Sequence, residues 1–249
     1  MEKSVDSDSE LIKKRMKYTI TLLIITLVGL LKLSAQQNAH RVLLKPELEL
    51  QYLLYLPDAY EQEPESEFPL LLFLHGGGES GNKLEKVKTH GPPSMIEEGH
   101  TFPFLVLTPQ NPHPKKFWNE TALIALLNTI EKEYRVDKSR VWIAGLSRGG
   151  YGAWRLAIQY PDRFAALVAI CGETPDHYAG WLGQMPIWVF HGEKDRTISI
   201  RESDEMVAAL KKNGNPVRYT KYPDTGHNAW DQAFSNPELY TWLLKQKKK

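Results

Sequence analysis

The sequence has little cysteine, little excess charge and no long apolar run, and each shortage excludes a class of protein. Cys171 is the single cysteine among 249 residues, so the chain forms no internal disulfide and a folded domain must rely on its core. Lysine and arginine number 31 and aspartate and glutamate 30, which leaves a formal net charge of +1. A nucleic-acid partner is not expected, because a phosphate-binding surface needs a strong basic excess.

Metal and cofactor motifs are lacking as well. Cysteine and histidine do not occur at metal-ligand spacing, and no G-x-x-x-x-G-K-[ST] pattern is present, so we expect no metal and no cofactor. Cys171 ends the apolar run ALVAIC, which predicts a small buried side chain rather than a reactive thiol. There is no internal repeat, low-complexity segment or linker, which favours a single domain.

An uncharged, mainly apolar run, Tyr18–Leu31, lies near the N-terminus, and its 14 residues fall short of a membrane-spanning helix. Four basic residues between positions 13 and 17 precede the run, and the small residue Ala35 follows it. This layout predicts a signal peptide over residues 1–35, a folded domain over residues 36–249, and export to the periplasm or the medium. An uncleaved membrane anchor is the alternative, whereas a cleaved chain would have no membrane partner.

Short apolar runs alternate with segments of helical periodicity through the rest of the chain. The apolar runs predict strands at 50–57, 68–76, 102–109, 140–145, 166–171, 186–192 and 217–223. Helices are predicted at 121–134, 149–160, 203–214 and 238–246. This alternation predicts an α/β fold with a mostly parallel sheet and helices on both faces. The stretch from Gly172 to Met185 has room for a small flap at most.

The stretch GLSRGG, Gly145 to Gly150, places Ser147 between glycines two positions away on each side. A predicted strand precedes the serine and a predicted helix follows it. A serine on such a sharp strand-to-helix turn is lifted out of the sheet edge, and the glycines are needed where the backbones crowd. A polar residue in a glycine-rich turn is the alternative, and the choice depends on partners elsewhere in the chain.

A second glycine-rich stretch, LHGGGESG, follows an earlier strand and includes Gly77 and Gly78. Consecutive glycines let backbone N–H groups point at an oxyanion, although a flexible turn would also have this composition. Each pattern alone is weak. Together, at the ends of neighbouring predicted strands, they indicate acyl-transfer chemistry at one edge of the sheet.

A serine hydroxyl is a poor nucleophile until a base removes its proton, so a base and an acid are needed. We look for both in the loops that follow the later predicted strands. Asp195 follows the strand PIWVFHG, and His227 follows the last predicted strand. Glu193 is the rival acid, and His177 is the second candidate base. The order serine, aspartate, histidine along the chain is that of α/β-hydrolases.

From about residue 51 to 244 the chain resembles the α/β-hydrolase superfamily. Within it, the chain is similar to the single-domain secreted esterases grouped with dienelactone hydrolases, polyhydroxybutyrate depolymerases, feruloyl and acetylxylan esterases and phospholipase/carboxylesterases. The segments that carry the resemblance are LFLHGGGESG, VLTPQNP with Trp118, VDKSRVWIAGLSRGGYGAW, PDRFAALVAICG, PIWVFHGEKD and TGHNAW. Arg148 departs from the pattern, since such relatives usually have methionine there, but its backbone N–H keeps the same position.

The resemblance implies an α/β-hydrolase fold with a minimal lid and a serine carboxylesterase acting through Ser147, His227 and Asp195. The oxyanion hole would be formed by backbone N–H groups of Arg148 and of Gly77 or Gly78. We expect a small-molecule or polysaccharide-linked ester as substrate. Trp118 and Trp230, in loops beside these motifs, are candidate substrate contacts, although packing is the commoner role of tryptophan.

Two other functions remain open at this stage. Prolyl-oligopeptidases share these catalytic elements, but nothing in the sequence resembles their propeller domain, which gates access for peptides. A catalytically inactive hydrolase fold used for binding is the third reading. The presence of all three triad candidates argues against it.

Overall fold

The computed structural model describes residues 37–45 and 48–248, so the predicted signal peptide lies outside the described residues. The strands are β1 Gln37–Lys45, β2 Leu48–Tyr55, β3 Phe68–Leu74, β4 Leu105–Pro109, β5 Val136–Leu146, β6 Ala166–Ile170, β7 Ile187–Gly192 and β8 Val217–Tyr222. The α-helices are α1 Ala59–Gln62, α2 Gly91–Glu97, α3 Glu120–Glu133, α4 Arg148–Gln159, α5 Ile200–Lys212, α6 Trp230–Ser235 and α7 Pro237–Leu244. Short 3-10 helices span Leu84–Thr89, Pro161–Arg163 and Asp176–Leu182. None of the helices in these residues has the length and apolarity needed to cross a membrane.

One sheet contains all the described strands, in the order β1-β2-β4-β3-β5-β6-β7-β8. β2 pairs antiparallel with both β1 and β4. Every other neighbouring pair is parallel. The predicted mostly parallel sheet is therefore confirmed. Because parallel strands end at the same edge, the loops after β3, β5, β7 and β8 come together there.

Two apolar clusters cover the two faces of this sheet. In β3, Leu70, Leu72 and Leu74 face the cluster beneath α3, α4 and α5. Leu71 and Phe73 of the same strand face the cluster beneath α2, α6 and α7. Burying a leucine or phenylalanine side chain stabilises a fold by about 1.5–3 kcal/mol, so a strand covered on both sides gains from every position. This explains the continuous apolar runs and confirms helices on both faces.

The sequence patterns missed strand β1 and helices α1, α2 and α6. β1 has no long apolar run, because it is one of the two edge strands and begins with polar residues such as Gln37, Asn38 and Arg41. The first turn of α2 contains Pro92 and Pro93, which read as a loop in sequence. Proline is nevertheless tolerated in the first helical turn, where backbone N–H groups have no intrahelical partner.

The stretch between β6 and β7, where a small flap was expected, packs against the domain. Its 3-10 helix Asp176–Leu182 contributes Ala179 and Leu182 to the apolar cluster beneath α4 and α5. Both residues are 1% exposed. The second candidate base, His177, lies on this helix with its ring against Tyr178 at 4.2 Å between ring centroids, and it is exposed.

Candidate active site

Ser147 occupies a strained turn between β5 and α4. Its backbone has φ 52° and ψ −121°, a conformation that residues with a side chain rarely adopt. The N–H of Ser147 donates to the carbonyl of Ile170 at 2.8 Å, which ties the turn to the end of β6. A sharp turn of this conformation between a strand and a helix holds the serine side chain above the edge of the sheet, which is the placement expected of a nucleophile.

The glycines on either side of Ser147 are required by close backbone contacts. A Cβ on Gly145 would lie 2.1 Å from the carbonyl oxygen of Gly149, and one on Gly149 would lie 2.0 Å from that of Leu74. Real Cβ atoms do not approach backbone oxygens so closely. The G-x-S-x-G pattern is therefore explained by packing of α4 against β3 and β5 at this turn.

The structure brings Ser147, His227 and Asp195 into one hydrogen-bonded chain. Ser147 Oγ lies 2.8 Å from His227 Nε2, and His227 Nδ1 lies 2.7 Å from Asp195 Oδ2. The loops that hold the acid and the base also touch, since a Cβ on Gly192 would lie 2.2 Å from the carbonyl oxygen of Gly226. The rival acid, Glu193, is exposed to solvent and takes no part in this chain.

Asp195 is held in place by its own loop. Its side chain is fully buried, and Oδ1 accepts hydrogen bonds from the N–H groups of Thr197 at 2.8 Å and Ile198 at 3.0 Å. Burial raises the pKa of this carboxyl, but the hydrogen bonds from His227, Ile198 and Thr197 outweigh it, and the net pKa lies below the usual value. The carboxylate is thus ionised at neutral pH and holds the proton of His227 on Nδ1.

His191 contacts Asp195 from the buried side. Its Nδ1 lies 2.7 Å from the hydroxyl of Ser203 on α5. Its Nε2 lies 3.0 Å from the carbonyl of Ile198 and 3.2 Å from Asp195 Oδ2. Burial lowers the pKa of His191, so the ring is neutral and Nε2–H is shared between these two acceptors.

Cys171 lies beside the same acid and is buried, as its apolar run predicted. Ligand atoms of Cys171, His191 and Asp195 all lie within 4.8 Å of one another. Burial raises the pKa of Cys171 to about 12, so its sulfur stays a thiol at neutral pH, whereas metals bind the thiolate. Because the ring nitrogens of His191 and the oxygens of Asp195 are already hydrogen-bonded, the cluster fits a support for the acid.

His75 orients the glycine-rich loop after β3. Its Nδ1–H donates to the carbonyl of Gly76 at 2.7 Å, and its Nε2 accepts from the N–H of Asn111 at 3.1 Å. This pins the Gly76–Gly77 peptide, with the N–H of Gly77 on the side opposite the bonded carbonyl. The ring of His75 therefore holds this one peptide of the glycine-rich loop in a fixed orientation.

Burial and the nearby charge of Arg148 lower the pKa of His75 to about 4. The ring is therefore neutral in the folded protein, while the ordinary value of 6.5 applies to the unfolded chain. Above pH 6.5 the ring is neutral in the folded and the unfolded protein, so the difference in pKa does not change the free energy of unfolding. As the pH falls from 6.5 towards 4, the unfolded chain binds the proton first, and the stability of the fold decreases.

We expect His75→Asn and His75→Gln to separate the two hydrogen bonds of this ring. The asparagine amide nitrogen takes the place of Nδ1 and still donates to the carbonyl of Gly76. The glutamine amide takes the place of Nε2, where its oxygen accepts from the N–H of Asn111. The Gln variant should lose kcat by about 100-fold, the loss of one oxyanion donor, and the Asn variant by much less. Measuring kcat on p-nitrophenyl acetate and Tm checks this; equal losses in both would assign His75 to packing alone.

The side chain of Arg148 lies across the glycine-rich loop. A Cβ on Gly77 would be 3.0 Å from the guanidinium carbon, so only glycine leaves room for this contact. Arg148 Nη1 donates to the carbonyl of Pro114 at 2.7 Å. The residue that replaces the usual methionine therefore braces the loop after β3 against the loop after β4, while its backbone N–H begins α4.

The two candidate tryptophan contacts differ in the structure. Trp118 is 5% exposed, its ring packs on His75 at 4.7 Å, and it fills the space that a Cβ on Gly152 would need. Trp118 therefore packs beneath the glycine-rich loop and offers little surface to a substrate. Trp230 is half-buried and meets the ring of His227 edge-on, at 5.2 Å between centroids and 87°.

The fold and this geometry define an α/β-hydrolase. Residues 93–241, more than half of the chain, match the phospholipase/carboxylesterase family, and the protein belongs to that family. The chain is 30% identical to a thermostable esterase of known structure, with a TM-score of 0.72, over 85% of this chain and 63% of that one. It also superposes on a ferulic acid esterase at a TM-score of 0.64 and 21% identity, over 84% of this chain and 99% of that one, which shows the fold.

Two curated relatives are esterases by name. A bifunctional acetylxylan esterase/xylanase, XynS20E of Neocallimastix patriciarum, is 26% identical over 70% of this chain and 26% of its own length. Feruloyl esterase B of Thermothelomyces thermophilus is 24% identical over 67% of this chain and 70% of its own length. The chain thus spans about a quarter of the first relative and most of the second.

Proposed function

We propose that this protein is a serine carboxylesterase in which Ser147 is the nucleophile, His227 the base and Asp195 the orienting acid. The observation that carries the proposal is the unbroken chain of hydrogen bonds, 2.8 Å from Ser147 Oγ to His227 Nε2 and 2.7 Å from His227 Nδ1 to Asp195 Oδ2. This chain needs no movement before the serine can lose its proton. It therefore argues against an inactive binding protein.

In the first half of the reaction, His227 Nε2 takes the proton of Ser147 as Oγ bonds to the carbonyl carbon of the ester. The tetrahedral oxyanion is stabilised by the N–H of Arg148 and that of Gly77 or Gly78. The intermediate collapses when the bond to the alcohol oxygen breaks and His227 returns its proton to that oxygen. The alcohol leaves, and the acyl group remains on Ser147.

In the second half, a water molecule takes the place of the alcohol. His227 accepts a proton from this water as its oxygen attacks the acyl carbon, and the same N–H groups hold the second oxyanion. Breaking the bond to Ser147 Oγ returns the proton to the serine and releases the acid. No cofactor enters either half, since proton transfer and hydrogen bonding account for each step.

We further propose that the substrate is a small-molecule or polysaccharide-linked ester met outside the cytoplasm. The names of the acetylxylan and feruloyl esterases support acyl groups on plant or microbial polysaccharides. Trp230, half-buried beside His227, supports stacking of a sugar or aromatic ring at the site. The basic and apolar pattern of the first 35 residues supports export.

Parallel assays with p-nitrophenyl acetate and a proline-containing chromogenic peptide test the reaction class. We expect turnover of the ester and none of the peptide, together with labelling of the protein by a fluorophosphonate probe. Cleavage of the peptide at a comparable kcat/KM would favour a prolyl-oligopeptidase-type peptidase instead. A folded protein that is neither labelled nor active on either substrate would favour the inactive binding fold.

A further inference from the structure

Glu79 carries a carboxyl that is buried beside the candidate active site. It lies in the glycine-rich loop after β3, and its side chain is 10% exposed. Among residues 37–45 and 48–248, no hydrogen-bond partner reaches its Oε2 atom. Folded proteins pair nearly all buried polar groups, because leaving one unpaired costs stability. Such an exception next to an active site suggests that its partner comes from a ligand.

The unpaired oxygen lies close to the nucleophile. A methyl group placed on Gly76 would be 3.2 Å from Glu79 Oε2 and 3.6 Å from Ser147 Cβ. The carboxyl and the serine are therefore both neighbours of the same point beside Gly76, where Leu146 Cδ1, at 2.8 Å from it, is the third neighbour. His75 Nδ1 is 3.7 Å from the same oxygen, but its proton already goes to the carbonyl of Gly76.

His90 and Trp230 complete a small polar group around Glu79. His90 Nε2 lies 3.9 Å from Glu79 Oε1, too far for a direct hydrogen bond, and its side chain is 33% exposed. The ring of His90 packs on Trp230 at 5.4 Å, and Trp230 in turn meets His227 at 5.2 Å. Glu79, His90 and Trp230 thus adjoin the triad on the side of His227, and we name them the Glu79 cluster.

We propose that the Glu79 cluster binds a hydroxyl group of the substrate next to the ester bond. A hydroxyl both donates and accepts, so one oxygen placed between His90 and Glu79 could pair with both. An alkyl group satisfies neither residue. The ring of Trp230 offers an apolar face for the carbon atoms that carry the hydroxyl. This subsite rests on the proposed esterase function, and it selects esters of sugars and other polyols.

Two acetates that differ only in hydroxyl groups test the subsite, 2,3-dihydroxypropyl acetate and propyl acetate. We expect the unmodified protein to have the higher kcat/KM on the dihydroxypropyl ester. Glu79→Gln, which keeps the shape of the side chain, should lower that value about tenfold through KM, because a neutral amide replaces the carboxylate as the hydrogen-bond acceptor. The readout is the ratio of kcat/KM on the dihydroxypropyl ester to that on propyl acetate, which should fall about tenfold, whereas an effect on the triad or on the loop that His75 holds would lower both values equally.

His90→Gln, at a more exposed position, gives a second measurement should Glu79→Gln not fold, and the same selective loss is expected. Glu85→Gln is the control, because the Glu85 side chain is 76% exposed and the charge change is identical. An equal loss on both acetates, or no loss on either, would overturn the subsite. Failure of the unmodified protein to hydrolyse any ester or to react with a fluorophosphonate would reject the esterase function itself, and the subsite with it.

Discussion

Replacing Ser147 by alanine is expected to reduce kcat on p-nitrophenyl acetate by about a million-fold. In a triad the base and acid act only through the nucleophile, so its removal costs about as much as removal of all three groups. The fold should persist, since alanine keeps the Cβ atom of serine in the turn between β5 and α4. Steady-state kinetics of the purified variant, with circular dichroism to establish folding, provide the measurement.

Ser235→Ala is the matched control, because Ser235 is exposed and its hydroxyl donates to the carbonyl of Asp231 in its own helix. It should retain full activity. Ser147→Gly extends the test to the strain in the turn: glycine adopts φ 52° without steric cost, so this inactive variant should unfold at a higher temperature than Ser147→Ala. Activity of Ser147→Ala close to that of the unmodified protein would exclude Ser147 as nucleophile.

Asp195→Asn is expected to lower kcat about 10,000-fold while leaving the fold intact. The asparagine amide would donate to His227 Nδ1, which leaves the proton of the imidazole on Nε2. In that tautomer the ring donates to Ser147 Oγ, which lies 2.8 Å away, and cannot accept its proton. The measurement is kcat on p-nitrophenyl acetate, with KM expected to change little because Asp195 does not touch the substrate.

Glu193→Gln separates this effect from a general loss of charge in the same loop. Glu193 is exposed, whereas the Asp195 side chain is fully buried. We expect the Glu193 variant to keep its activity within about twofold, as surface substitutions usually do. A large loss in Glu193→Gln together with a small loss in Asp195→Asn would reverse the assignment of the acid.

Strands β3, β4, β6 and β7 were predictable because every residue in them is buried. A run such as FPLLLFL, Phe68 to Leu74, has to be apolar at every position when helices cover both faces of the sheet. The edge strand β1 has no such requirement, so it carried no pattern to detect. Helix α2 was missed for a similar reason, since its prolines are typical of loops unless the first turn of a helix is known to lie there.

The roles of His75 and His191 could not be read from the sequence. Both follow the apolar residues of a strand, and both look alike in their local pattern. What distinguishes them is contact with distant residues: His75 bonds Asn111 and the carbonyl of Gly76, and His191 bonds Ser203 and Asp195. The packing role of Trp118 likewise follows from its contacts with His75 and Gly152, which lie far from it in the sequence.

By itself, the sequence determined the parallel α/β sheet and the strand ends at which Ser147, Asp195 and His227 lie. Backbone crowding at the turn requires its glycines, and two-sided burial requires the apolar runs, so both leave a mark on the residues themselves. Only the tertiary structure decided where the side chain of Arg148 lies, which tryptophan lies beside His227, and that Glu79 Oε2 has no hydrogen-bond partner within residues 37–45 and 48–248. These outcomes depend on contacts between loops far apart in the chain, and the loops meet because parallel strands end at one edge of the sheet.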